Sequence, residues 1–303
     1  MSKRTIAVVG PTACGKTRRG VLLARAFDGE IVSADSRQVY RGMDVGTGKD
    51  LGEYPHGMAV HMLDVAPAGY RYNLYEYLRD ARRAMAGIAA RGRRAVVVGG
   101  SGLYVESLLK GIVLPDVPEN PALRRSLEGK DLDELAAMLA AMKTLHNVTD
   151  IDNPRRAIRA IEIEQYYIDN PDAARAAREA SPENAVIVGI DIPRDERRRL
   201  ISLRMRRRFD QEDMTAEVEA LLRGGIAPDD LIYYGLEYKY ITLFLTGAID
   251  RPAMELGLET AIHQFAKRQM TWFRGMERRG FTIHWLPWDM PDDEFVGAVG
   301  AIL

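Results

Sequence analysis

Residues Gly10-Pro11-Thr12-Ala13-Cys14-Gly15-Lys16-Thr17 fit the pattern G-x-x-x-x-G-K-[ST] and directly follow the apolar run Thr5–Val9. A strand, a glycine-rich turn and a helix in that order make an anion cradle. Consecutive backbone N–H groups point inward, and the helix offers its positive N-terminal end. In such a cradle Lys16 brings a mobile positive charge to the phosphates, and Thr17 offers a hydroxyl to a metal ion. Phosphate chemistry favours Mg2+ for that ion over Mn2+. The segment reads as a polyphosphate site, whose default chemistry is phosphoryl transfer or nucleotide hydrolysis. A second polar cluster points elsewhere: residues 30–34 read as a strand that delivers Asp35-Ser36-Arg37-Gln38 and the following residues, through Lys49, to the same sheet edge.

The elements that must position these groups follow from hydrophobic periodicity. Strands are expected over Thr5–Val9 and residues 30–34, 59–64, 95–98 and 185–190, with a helix over 74–91. Alternating strands and helices predict a parallel, helix-covered α/β sheet. Between residues 115 and 183 the pattern changes to proline-punctuated helices over 131–142, 153–167 and 172–179. The predicted organisation is a core of residues 1–115 and 184–303 with a helical insertion, 116–183. Residues 193–209 form an arginine-dense helix with Leu200, Leu203 and Phe209 as its apolar stripe, and Arg204 and Arg208 share one face.

Both chemical motifs, at their observed separation, resemble the tRNA dimethylallyltransferases, which typically show G-P-T-A-S-G-K-T and then D-S-x-Q-V-Y-x-G-M-D-I-G-T-A-K. The resemblance continues through Val60-His61-Met62-Leu63-Asp64, Val98-Gly99-Gly100-Ser101-Gly102-Leu103-Tyr104 and residues 264–274, so it spans nearly the whole chain. It implies a P-loop kinase-like fold and transfer of a dimethylallyl group from dimethylallyl diphosphate to N6 of the adenine 3′-adjacent to the anticodon. The implied partner is the anticodon stem-loop of tRNAs reading codons that begin with U. The same fold also carries a motif-based expectation of ATP binding. Displacement at an allylic carbon leaves diphosphate, which needs preorganised cations and N–H dipoles, here Gly10 to Thr17 with Mg2+ on Thr17. The weakly basic amine gains from a carboxylate that takes its proton. The resemblance gives that role to Asp35, whose plainer alternatives are an indirect Mg2+ contact or a helix cap. It gives Arg208 to the diphosphate, and Ser36, Arg37, Gln38, Ser101 and Arg124 to tRNA.

In the insertion, Arg155, Arg156 and Arg159 stand at helical spacing suited to phosphate contacts. They resemble the family's N-D-x-x-R-x-x-R-A-L-E motif, with Asp152-Asn153 in place of Asn-Asp; the competing reading pairs them with Asp150, Asp152 and Glu162. Cys14 replaces the family's usual serine. A helix N-terminus lowers a thiol pKa and would make it oxidisable, while the similar size favours a silent exchange. Gly235-Leu236-Glu237-Tyr238 matches the family's G-Y-x-E element only loosely and receives no role. On residues 264–274, Phe265 and Trp272 are expected to pack inward, with Gln264, Lys267 or Arg268 turned toward the site.

At 303 residues and 47% hydrophobic content, the chain can bury a substantial core. Its formal net charge of -1 gives no general attraction to RNA, so contact must come from local basic patches. The single cysteine excludes an internal disulfide and a cysteine zinc cluster, unlike relatives with a C-terminal zinc finger. No leader and no run of roughly 20 apolar residues is present, so a cytoplasmic monomer with no membrane association is expected. An adenylate prenyltransferase would share Asp35 and the loop but needs no insertion; a small-molecule kinase would share only the loop.

Overall fold

The protein, seen in a computed structural model, is described over residues 3–114, 116–144, 151–178 and 181–303. It divides into two units, residues 1–110 with 183–303, and residues 111–182. Pro115, Asp150 and the expected helix end at Glu179 lie outside the described residues.

The larger unit is built on six parallel strands in the order β4-β2-β6-β1-β7-β8. These are β1 (Thr5–Val9), β2 (Gly29–Ser33), β4 (Val60–His61), β6 (Arg94–Gly99), β7 (Ala185–Asp191) and β8 (Ile283–Pro287). Every residue of β1 is buried, as a central strand covered on both faces requires. Two short strands, β3 (Tyr40–Arg41) and β5 (Ala66–Pro67), pair separately. Between them in the chain lies β4, where the sequence suggests a strand over 59–64. That strand stops at His61 because Met62 (φ 68°) and Asp64 (φ 55°) adopt left-handed backbone.

Helix α1 (Lys16–Ala26) lies so close to the sheet that a Cβ on Gly20 would meet Val98 Cγ2 at 2.4 Å. Helix α2 (Leu74–Ala90) starts at a reciprocal capping box between Asn73 and Glu76. Then come α3 (Gly102–Leu109), and, after β7, α8 (Arg194–Asp210), α9 (Met214–Arg223), α10 (Pro228–Tyr234), α11 (Leu236–Leu245), α12 (Arg251–Arg278) and α13 (Asp292–Ile302). Strand β8 and the α9 to α11 series have no counterpart in the sequence expectation.

Chain direction fixes the location of the site. From β1 the chain moves to β2 on one side of the sheet, and from β6 it later moves to β7 on the other. Loops leaving the carboxyl ends of β1 and β6 therefore diverge and leave a crevice between them.

The insertion unit holds α4 (Pro121–Leu127), α5 (Leu132–Met142), α6 (Pro154–Asp169) and α7 (Pro171–Arg178). Leu127, Leu135, Leu139, Ala157 and Ile161 form its core. Asn153 caps α6 by accepting the Arg156 N–H, so the Asp152-Asn153 order still starts the helix.

At the opposite end of β2, buried Glu30 accepts hydrogen bonds from Arg91 Nε (2.9 Å) and Nη2 (2.7 Å) and contacts His61 Nε2 at 2.7 Å. The Arg91 fork pulls the Glu30 carboxyl down to about 2, against the upward push of burial and with His61 adding to the pull. A depressed carboxyl stabilises fully above its unfolded value and loses that contribution as pH falls toward the folded one. Glu30→Gln should therefore be less stable than the parent at neutral pH and converge on it between about pH 5 and pH 2, as thermal melts would show.

Candidate active site

The loops at the carboxyl ends of β1, β2 and β6 enclose a cavity of about 350 Å³ together with residues of α8, α11 and α12. Thr12, Lys16 and Thr17 line it from the first loop, Asp35 to Gln38 from the second, and Gly99 to Ser101 from the third. Ten expected site residues thus converge: Thr12, Ala13, Gly15, Lys16, Thr17, Asp35, Ser36, Arg37, Gln38 and Ser101 all line this space, and Arg208 joins them from α8.

The 10–17 loop depends on its glycines. A Cβ on Gly10 would meet Cys14 Sγ at 2.8 Å, and Gly15 (φ 81°) turns the chain into α1 in left-handed conformation. Lys16 Nζ donates to the Pro11 carbonyl at 2.7 Å. Tyr54 lines the same wall of the cavity as Thr17, and burial, then the charge of Asp50, pushes its pKa up to about 12. Cys14 is buried, and burial raises its thiol pKa despite Lys16. An activated, oxidisable thiol is therefore not what the loop builds; the serine-sized side chain packs beneath it.

Asp35 follows β2, and its Oδ1 accepts the Arg37 N–H at 2.9 Å, which orients the carboxylate. Ser101 Oγ accepts the Ser36 N–H at 3.0 Å. Gln38 is held at both ends of its amide, by Ser33 Oγ at 2.9 Å and the Gly48 carbonyl at 2.8 Å. Fully buried Lys49 ties the segment together through Asp44 (2.5 Å), Asp64 and the Tyr40 carbonyl (2.7 Å). From α9, Glu217 accepts the N–H groups of Asp44, Val45 and Gly46 at 2.7, 2.7 and 2.9 Å and the Tyr238 hydroxyl at 2.6 Å. Tyr238 belongs to the element left without a role, and it supports the wall of the cavity.

On α8 the buried residues are Ile201, Met205 and Arg208, whereas Leu203 is 56% exposed. The apolar stripe expected at Leu200, Leu203 and Phe209 is thus rotated, because Arg208 turns inward. Its guanidinium lies over Gly48, whose Cβ would meet Nη2 at 2.4 Å, and it reaches Asp50 Oδ1 at 3.3 Å. Arg204, one turn earlier, bonds Thr12 Oγ1; burial, then the charge of Arg208, pushes its guanidinium down to about 10. Glu237 lines the same cavity, and burial raises its carboxyl above the usual range against the pull of Arg208. In the sequence Arg204 shares a helix face with Arg208 and Glu237 belongs to the element left without a role, whereas Tyr54 carries no distinctive spacing.

Helix α12 corrects another expectation. Its buried side chains include Ile262, Ala266, Gln269, Phe273 and Met276. Phe265 and Trp272 are 37% and 38% exposed, so Phe273 is the aromatic in the core. Gln264, Lys267 and Arg268 border a separate surface hollow with Trp272 and Arg279, while Ile262, Phe265 and Gln269 face the central cavity.

Within the insertion unit the arginines divide by environment. Arg124 forks onto buried Glu162 at 2.7 and 2.8 Å, and Arg159 reaches Glu162 at 3.0 Å and the Val117 carbonyl at 2.7 Å. Burial raises the Glu162 carboxyl, but Arg124 and Arg159 hold it below the usual range. Arg124 therefore stitches α4 to α6, and Arg159 ties α6 to the segment that precedes α4. Arg156 pairs with Asp152, and Arg155 is exposed.

Comparison with known proteins places this geometry in context. The sequence profile of the IPP transferase family matches residues 38–276. The chain is 55% identical to tRNA dimethylallyltransferase 1 of Porphyromonas gingivalis over 297 residues, 97% of each chain. It is 54% identical to tRNA dimethylallyltransferase 2 of Bacteroides fragilis, covering 97% of this chain and 96% of that one. The full-length tRNA isopentenylpyrophosphate transferase of Bacillus halodurans has a similar crystal structure, with TM-score 0.72 at 29% identity over 99% of this chain and 95% of that one.

Proposed function

The chain belongs to the IPP transferase family, that of the tRNA dimethylallyltransferases, and from that premise we propose that its central cavity moves a dimethylallyl group from dimethylallyl diphosphate to N6 of an adenine beside the anticodon. The protein is a prenyltransferase that modifies tRNA. The observation supporting this use of the cavity is that Lys16, Thr17, Arg204 and Arg208 share one space with Asp35, a carboxylate oriented by the Arg37 N–H. Its volume of about 350 Å³ suits a small ligand rather than a helix of nucleic acid. The target base must therefore leave its stack to enter.

In the proposed reaction the N6 lone pair forms the new C–N bond as the allylic C–O bond breaks. The electron pair of that bond leaves on the diphosphate, where Lys16, Arg208 and the amides of the 10–17 loop stabilise it. Asp35 accepts the N6 proton. Thr17 would be the protein ligand of Mg2+. The donor set fits such an ion: one hydroxyl lining the cavity with the Asp35 and Asp50 carboxylates suits a cation that keeps much of its shell for phosphate and water. When bound, it supplies positive charge to the diphosphate.

The free-nucleotide prenyltransferase and kinase alternatives lose support because the matching tRNA dimethylallyltransferases cover nearly the whole chain, insertion included. A monomer in the cytoplasm remains part of the proposal; among the described residues no helix is long and apolar enough to cross a membrane. The direct test incubates the protein with Mg2+, unmodified tRNA and radiolabelled dimethylallyl diphosphate, with AMP and ATP arms in parallel. Label on tRNA supports the proposal; label on AMP alone, or ATP consumption without prenyl transfer, rejects it.

For tRNA grip in the insertion, exposed Arg155 is the better candidate than Arg124 or Arg159, which hold Glu162. Arg155→Ala should weaken RNA binding across sequences and reduce the salt slope by about 1, measured by filter binding at several salt concentrations. An unchanged slope would return Arg155 to the solvated surface.

A further inference from the structure

We propose that Gln269 is a positioning residue that sets the spacing between the leaving-group cradle and the Asp35 segment, a role that rests on the prenyl-transfer reading of the same cavity. Gln269 is 5% exposed, and both ends of its amide are used. Oε1 accepts the Thr12 N–H at 2.7 Å, and Nε2 donates to the Gly100 carbonyl at 3.0 Å. The next residue, Ser101, donates its N–H to the Ala34 carbonyl at 3.3 Å and accepts the Ser36 N–H at 3.0 Å on Oγ. One hydrogen-bonded path thus runs from Thr12 through Gln269, Gly100 and Ser101 to the two neighbours of Asp35.

The sheet makes such a path necessary. β1 and β2 are not adjacent, because β6 lies between them. Their ladders stop where the strands stop, so nothing in the sheet itself ties the loop after β1 to the loop after β2. Gln269 crosses that gap from α12. The amide suits the task because it accepts from one loop and donates to the other at the same time. The fit is close: a Cβ on Gly100 would lie 2.3 Å from Gln269 Nε2. Nucleophile, allylic carbon and leaving oxygen must line up, and a misplacement of roughly 1 Å can cost about 10² in rate.

The test uses the full chain with radiolabelled dimethylallyl diphosphate, Mg2+ and an unmodified tRNA anticodon stem-loop. Gln269→Met keeps the side-chain size and removes both bonds; Gly100→Ala pushes the amide away from the other side. Each should lower kcat, by about 10² for Gln269→Met, with RNA affinity by filter binding unchanged. The melting temperature should shift by only a few degrees. Because both act through one clamp, the double variant should be no slower than the slower single. Full activity in both singles, or effects that multiply in the double, would overturn the role of Gln269. A parent protein that transfers no prenyl group overturns the reading of the cavity, and the role with it.

Discussion

Asp35→Ala is expected to lower turnover by a factor of about 10² or more while leaving RNA affinity nearly unchanged. The expectation rests on where the carboxylate stands. It opens the loop after β2, is oriented by the Arg37 N–H at 2.9 Å, and lines the cavity that Lys16 and Thr17 line from the loop after β1. The residues that could bind RNA nearby, Ser36 and Arg37, are separate side chains, so truncating Asp35 removes the proton acceptor without removing them. Single-turnover transfer and filter binding separate the two effects. Turnover equal to the parent's would eliminate the base role, and a parallel fall in RNA affinity would make Asp35 a binding residue. Asp35→Asn sharpens the result, because it keeps the bond from Arg37 while losing the capacity to take a proton.

Lys16→Met should lower kcat/KM for dimethylallyl diphosphate by about 10² to 10³, the cost of removing one preorganised stabiliser of developing charge. Methionine preserves the aliphatic stem along the loop and discards the ammonium, which here donates to the Pro11 carbonyl at 2.7 Å. The loop should survive the change, since its shape comes from Gly10, Gly15 and the two bonds on Thr12 from Gln269 and Arg204. Calorimetry with inorganic pyrophosphate gives the companion measurement. Weaker binding together with slower transfer places the diphosphate in the 10–17 loop. Undiminished binding and transfer would move it elsewhere in the cavity.

The two loops that carry chemistry were legible in the chain because each is made of consecutive residues. Glycines at 10 and 15 determine the turn after β1, and the polar run from Asp35 follows a strand marked by its own apolar residues. Strand and helix alternation likewise revealed the parallel α/β class, and proline-punctuated helices revealed the insertion.

Tertiary structure alone decided what surrounds those loops. Gln269 meets Thr12 across 257 positions, and Glu217 meets the 44–46 amides across about 172. No local pattern encodes such pairs, because each partner's own segment looks like an ordinary helix face. Helix α8 shows the limit most directly. Periodicity assigned its buried face to Leu200, Leu203 and Phe209, yet the chain buries Ile201, Met205 and Arg208, since the Gly48 turn and the Asp50 carboxylate give the guanidinium a seat. On α6 and α4 the chain left Arg159 open between RNA contact and ion pairing, and only the fold shows that Arg159 and Arg124 both pair with buried Glu162. Residue type and spacing determined which chemistry the protein carries; burial and long-range pairing determined which of its many arginines and carboxylates remain positioned to perform it.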